Sequence, residues 1–296
     1  GVYGAGLVRH VTAAFEGAAA TVGGVFHEVP VDSSDIVVAR VVRAYRDAGC
    51  DCLVAVGGGS VIDTAKAANA LIGTGADDLL QFQGSERLQG KLPPFIAVPT
   101  TAGTGSEVTM AAVIANKAKS VKMSFVSYNL FPDVAILDPK MTLSAPPLIT
   151  ASTGMDALTH ACEAYHCLQK NPVSDAFALA AIDLIHDNLV PVVRDGGTPA
   201  GRLALANAAL LAGIAFSNSL VGVIHALAHT VGAHARVAHG VANSILLPWG
   251  LAYNIPKRAS FIAALAPHFG LSPGSGNAAR DAEAVVAHIR ALGHQL

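Results

Sequence analysis

Charge is scarce in this 296-residue chain: Asp, Glu, Lys and Arg make up 14% of it, against about 25% in an ordinary globular domain. With 52% hydrophobic residues, little polar surface is left to cover a monomer, which points to a homodimer or a higher homo-oligomer. The net charge of −2 and the scattered basic residues give no electrostatic footprint for nucleic acid and argue against that class of partner. Cysteine is also scarce. Cys50, Cys52, Cys162 and Cys167 form no paired CxxC unit, so neither a disulfide framework nor a thiolate zinc site is indicated, and the expected setting is reduced and cytoplasmic. No basic segment followed by an apolar run opens the chain, so no secretory signal is read. Residues 203–235 carry no formal charge, which raises the question of a membrane span. Asn207, Ser217, Asn218, Ser219 and several histidines interrupt that stretch, and a pair of buried helices is the expected reading, with no membrane partner.

What is present falls into two patterns. Up to about Met141, short β-rich runs at 25–29, 52–56, 95–98 and 134–137 alternate with helical periodicity at 35–47 and 60–71. That is the rhythm of a mostly parallel sheet covered by helices. Residues 143–154, LSAPPLITASTG, read as a linker. Beyond them the pattern is helical, at 155–168, 174–189, 202–216, 220–231 and 281–292. The expected architecture is an α/β dinucleotide-binding domain over residues 1–142 and an all-α domain over residues 143–296, with the site in a cleft between them.

Two glycine-rich strand exits carry the first chemical signal. In DCLVAVGGGSVIDTAKAANAL, residues 51–71, an apolar strand runs into Gly57, Gly58 and Gly59, then Ser60 as the expected N-cap of a helix. A helix N-terminus approached by glycines offers N–H groups and partial positive charge to a phosphate. The motif is neither GxGxxG nor GxxxxGK[ST], and a ligand-free tight turn is its competing reading. A second loop, VPTTAGTGSEVT at 98–109, also follows a strand. Two such exits in one sheet are what a dinucleotide needs, because ligands of these sheets bind beyond the carboxyl ends of the strands.

Histidines carry the second signal. In VIHALAHTVGAHARVAH, residues 223–239, four of the twelve histidines are concentrated: His225, His229, His234 and His239. His225 and His229 are four apart and share one helical face. Fourteen residues of unbroken helix would hold His225 and His239 about 21 Å apart, so they meet only if the chain turns back; Gly232 and Gly240 are the candidate break points. In TGMDALTHACEAYH, residues 153–166, Asp156 and His160 are likewise four apart. One carboxylate with two or three imidazoles suits iron(II) or zinc. Cys162 with His166 is a competing pair at the same spacing.

Together GGGSVIDTAK, TTAGTGSE, GMDALTHACEAY and HALAHTVGAHARVAHGVANSILLP resemble the iron-containing, metal-dependent (group III) alcohol dehydrogenases over nearly the whole chain. The resemblance implies a two-domain plan shared with dehydroquinate synthase, and metal ligands at Asp156, His160, His225 and His239. It implies that His229 lines the site beside nicotinamide and substrate, and that His234 has no role. It places the pyrophosphate of NAD or NADP on Gly57, Gly58, Gly59 and Ser60 with Asp63 nearby, and completes the pocket with Thr100, Thr101, Thr104 and Lys122. The implied cation is Fe2+, with Zn2+ or another divalent metal as substitute, and the implied reaction is hydride transfer between an alcohol, or its aldehyde or ketone, and the nicotinamide. The family's first strand, with the residue that selects NAD or NADP, is expected before Gly1, and its last helices after Leu296. The rival readings are a metal- and NAD-dependent lyase resembling dehydroquinate synthase, which needs several basic residues for a sugar phosphate, and an inactive truncated homologue.

Overall fold

A computed structural model describes residues 1–116, 119, 121–272 and 274–296, the side chain of Ala233 aside. It divides into two compact units, one formed by Gly1–Thr100 and Ser106–Ser144, the other by Thr101–Gly105 and Ala145–Leu296.

The first unit contains α1 (Leu7–Ala13), α2 (Asp35–Asp47), β1 (Leu53–Gly57), α3 (Gly59–Thr74), β2 (Gly84–Ser85), β3 (Phe95–Pro99), β4 (Ala111–Asn116), β5 (Val121–Val126) and β6 (Val134–Ala135). Strands β1, β3 and β6 form one sheet, all parallel, with Leu53 opposite Phe95 and Ile96 opposite Val134. In the second sheet β2 lies parallel to β5, and β4 pairs with β5 antiparallel. Helix α3 is apolar on two sides because it serves both sheets. Ile62 and Ala65 pack with Ala55, Phe95 and Ala97, while Ala67, Ala68, Ala70 and Leu71 join Ala112, Ile114, Met123 and Phe125.

Helix α2 coincides with the periodicity at 35–47 because Val37, Val38 and Val42 form its buried face. The run at 25–29 is not a strand. Alternation makes a strand only when a neighbour supplies the ladder, and among the described residues this stretch pairs with none; Val25 is exposed, and Glu28 pairs with Arg40 instead.

The second unit is helical: α4 (Pro147–His166), α5 (Pro172–Asp195), α6 (Pro199–Ser219), α7 (Val223–Ala235), α8 (His239–Ala263) and α9 (Ala278–Gln295). Helices α4, α5 and α6 each open on proline, which fits the first turn because its missing N–H is unpaired there in any residue. The stretch read as a linker is therefore helical from Pro147 onward. The charge-free stretch 203–235 is two helices, α6 and α7, separated by 220–222. Helices α5 and α6 are long and apolar enough to cross a membrane, yet both feed this unit's core, with Ile182, Ile185, Leu189, Leu205, Ala208 and Ala212 buried among Met155, Leu158, Leu247 and Val285.

Candidate metal centre and glycine loops

Helix α4 presents Asp156, His160 and Glu163 along one face, at spacings of four and three. Helix α7 brings His225 and His229, and α8 begins at His239. The reversal between the last two helices falls at 236–238, where Arg236 takes the left-handed conformation at φ 55°. The glycines expected to break the chain do not: Gly232 lies inside α7, and Gly240 is the second residue of α8.

This turn closes the separation that one continuous helix would impose. Asp156, His160 and His225 are buried, with one ligand-type atom from each within 4.8 Å of the others. Asp156 Oδ1 lies 3.8 Å from His225 Nε2 and 3.6 Å from His239 Nε2. The His160 ring stacks between Phe216, at 4.4 Å, and His225, at 4.2 Å. His239 stacks on His229 at 4.7 Å and stands 5.5 Å from His225, centroid to centroid. His229 is exposed, as is His234 in the last turn of α7.

Burial and the neighbouring His225 push the His160 imidazole down to about 3, so it stays neutral and keeps a lone pair. Burial alone would raise the Asp156 carboxyl, but the three imidazoles and Asn243 outweigh it and hold it below the usual carboxylate range. His160 Nδ1 and His225 Nε2 are buried without a hydrogen-bond partner among the described residues. Buried polar atoms are ordinarily paired, so two orphaned imidazole nitrogens beside a shielded carboxylate fit a divalent cation with nitrogen and oxygen preference.

Two residues absent from the sequence reading complete the arrangement. Asn243 Nδ2 donates to Asp156 Oδ1 at 2.6 Å and lies 3.1 Å from His239 Nε2, fixing the carboxylate from the side of α8. Glu163 accepts at 2.6 Å from His225 Nδ1. The spacing that marked Asp156 and His160 also marks Glu163, three residues on. The competing pair is structural: His166 Nδ1 lies 2.6 Å from the Cys162 carbonyl oxygen and its Nε2 lies 3.3 Å from Asn254 Nδ2, while burial pushes the Cys162 thiol far up and keeps it protonated.

In the first unit the glycine run leads from β1 into α3. Gly58, not Ser60, is the N-cap; Ser60 Oγ instead accepts from the Asp32 amide at 3.2 Å. A Cβ on Gly57 would stand 2.5 Å from the Val61 Cβ, so the strand can meet the helix this closely only without a side chain. The Thr100 amide donates to Gly57 O at 3.1 Å, setting the end of β3 beside the first loop. Asp63 Oδ1 accepts from Ser106 Oγ at 2.6 Å and its Oδ2 from the Val113 amide at 3.0 Å. Lys66, fully buried, donates from Nζ to Thr109 O at 2.7 Å, Thr109 Oγ1 at 3.1 Å and Ala111 O at 2.9 Å, using all three ammonium protons. Burial lowers its pKa to about 8 and raises that of Glu107 nearby to about 7. Lys122 pairs with Asp32 at 2.8 Å. Thr101 and Thr104 belong to the short segment grouped with the helical unit, where Ala102 packs on the core.

The iron-containing alcohol dehydrogenase model matches residues 1–139, and the model for the C-terminal part of the Fe-containing alcohol dehydrogenase family matches residues 150–296. The chain belongs to the iron-containing alcohol dehydrogenase family. It is 38% identical over 264 residues to an NAD-dependent methanol dehydrogenase of Bacillus methanolicus, covering 89% of this chain and 69% of that protein. It is 43% identical over 244 residues to a 1,3-propanediol dehydrogenase of Klebsiella pneumoniae, covering 81% of this chain and 63% of the relative. The solved alcohol dehydrogenase from Oenococcus oeni superposes with a TM-score of 0.94 at 35% identity, covering 98% of this chain and 75% of that one. The chain therefore spans roughly two thirds of the length of the curated relatives named here.

Proposed function

We propose that this family member is a metal-dependent alcohol dehydrogenase and aldehyde reductase that uses NAD or NADP. The observation that carries the reading is the convergence of Asp156, His160 and His225, with His239 beside them, around two orphaned imidazole nitrogens. Asp156, His160, His225 and His239 would hold the cation, Fe2+ by family and Zn2+ by ligand chemistry. When bound, the cation supplies Lewis acidity to the alcohol oxygen, and the nicotinamide accepts the hydride.

The protein's own residues do the rest. Burial of Asp156 and His160 keeps water from their polar atoms, and Asn243 holds the carboxylate in one rotamer. His229, which is exposed and stacks on His239, would take up or deliver a proton at the edge of the site. Gly57, Gly58, Gly59, Ser60 and Thr100 would cradle the pyrophosphate at the start of α3, with Thr101, Thr104 and Lys122 as further dinucleotide contacts. Asp63 contributes by holding Ser106 and Val113 in place. The scarcity of charge supports a homo-oligomer, and the four free cysteines support a reduced, cytoplasmic setting.

Elemental analysis and alcohol oxidation with NADH detection on single alanine variants test the reading. Asp156→Ala, His160→Ala, His225→Ala and His239→Ala are expected to lose most of the metal and nearly all turnover, while His229→Ala keeps metal near one per chain and slows. Metal lost from His229→Ala but retained in His239→Ala would establish the HxxxH pair of α7 as the site and overturn this assignment.

A further inference from the structure

Glu163 is a fully buried carboxylate in the middle of a helical core, and its surroundings tie it to α7. Its Oε1 accepts from the Ile224 amide at 2.8 Å. Its Oε2 accepts from the His225 amide at 3.3 Å and contacts His225 Nδ1 at 2.6 Å. Ile224 and His225 belong to the first turn of α7, whose N-cap residue, Gly222, supplies no side-chain cap. The carboxylate of α4 therefore caps a helix that begins some 60 residues later. Gly222 makes room for it, since a Cβ there would stand 2.8 Å from Oε1.

We propose that Glu163 is a positioning residue for the metal centre, setting both the tautomer and the ring direction of His225. An ionised carboxylate accepts only, so the short contact requires the proton on His225 Nδ1. A neutral imidazole then carries its lone pair on Nε2, the atom left without a partner and 3.8 Å from Asp156 Oδ1. The partner of a ligating histidine raises the basicity of the ring, and its loss typically costs about 10–100-fold in metal affinity. Here the same carboxylate also holds the helix terminus on which His225 rides, so ring direction and backbone position are set by one group.

This inference rests on the metal-centre reading, and competition between the full-length apoprotein and a fluorescent chelator for Zn2+ separates the two. Wild type is expected to take up about one Zn2+, Glu163→Gln to bind it about 10–100-fold more weakly, and Glu163→Asp, which restores the charge, to recover part of the loss. Val285→Ala, a core truncation on α9, controls for stability and is expected to melt earlier with unchanged Zn2+ affinity. Should Glu163→Gln not fold, Gly222→Ala, which displaces the carboxylate while leaving its chemistry intact, is read in the same way. Zn2+ affinity within twofold of wild type in Glu163→Gln, or an equal loss in Val285→Ala, overturns the positioning role alone. A wild type that takes up no Zn2+ overturns the metal centre and the inference with it.

Discussion

Gly240→Ala probes the approach of α8 to α4, on which the convergence of His239 with Asp156 depends. A Cβ at position 240 would stand 2.5 Å from the Ser152 carbonyl oxygen and 2.9 Å from its carbon. Both are backbone atoms, and Ser152 lies one helical turn before Asp156, so no side chain can swing aside. An ordinary heavy-atom contact is about 3.5 Å, so the two helices must separate by about 1 Å. Metal–ligand distances hold to within about 0.2 Å, so the displacement is several times what coordination tolerates. The fold is more forgiving. Overpacking costs about 1–3 kcal/mol, and alanine returns up to about 1 kcal/mol of helix propensity. The expected result is a melting point only a few degrees lower in the apoprotein, with Zn2+ affinity reduced at least tenfold. Gly293→Ala in α9, where nothing lies within 4 Å of the added Cβ, is expected to raise stability slightly and leave the metal untouched. Gly240→Ala that binds Zn2+ like wild type would refute the claim that this contact sets the position of His239.

Burial raises the Glu107 pKa from 4.5 to about 7, so the folded state holds a proton that the unfolded chain releases. The associated stability is present below pH 4.5 and lost as pH rises through 7. Glu107→Gln should therefore gain up to about 3 kcal/mol relative to wild type at pH 8 and little at pH 4, read by chemical denaturation at both values; equal gains at both would refute it. Lys66→Met leaves Thr109 O and Ala111 O without their buried donor, and about a tenfold weaker NAD affinity is expected by calorimetry with Zn2+ content unchanged, since Lys66 holds the second loop and touches no metal ligand. Asp63→Ala should act in the same direction, because it removes the acceptors of both Ser106 Oγ and the Val113 amide; NAD binding equal to wild type in both variants would refute the loop-holding role.

Much of the fold was legible because its signals are local. The strand–glycine–helix unit from β1 into α3 shows in five apolar residues followed by three glycines, and α2 shows in Val37, Val38 and Val42 at helical spacing. Errors came where a local signal has two meanings. Proline at 147, 172 and 199 reads as a breaker yet opens three helices, so each began earlier than the apolar period suggested. Pro248 and Pro256 lie inside α8, over whose 25 residues the sequence pattern predicts no helix, although Leu247 and Leu251 mark its buried face. The run at 25–29 has strand composition, but pairing is a property of neighbours rather than of the segment itself.

The candidate site divides along the same line. Asp156 and His160 are visible as a pair because helical geometry alone sets them on one face. The same face reaches Glu163, but a glutamate beside an alanine-rich core carries no sign of what it meets. Its partners, the Ile224 amide and the backbone amide and Nδ1 of His225, become defined only when α7 starts at Val223, and that start needs the carboxylate as its cap. Asn243 is likewise one turn beyond His239, but its use depends on the Asp156 carboxylate arriving from another helix. Ligand-type residues can thus be read one helix at a time, whereas the groups that orient them are specified by pairs of helices. Removing Glu163 and removing His225 should accordingly differ in kind: His225→Ala deletes a donor from a helix that still begins at Val223, whereas Glu163→Gln leaves every donor present and loosens the one turn that aims it.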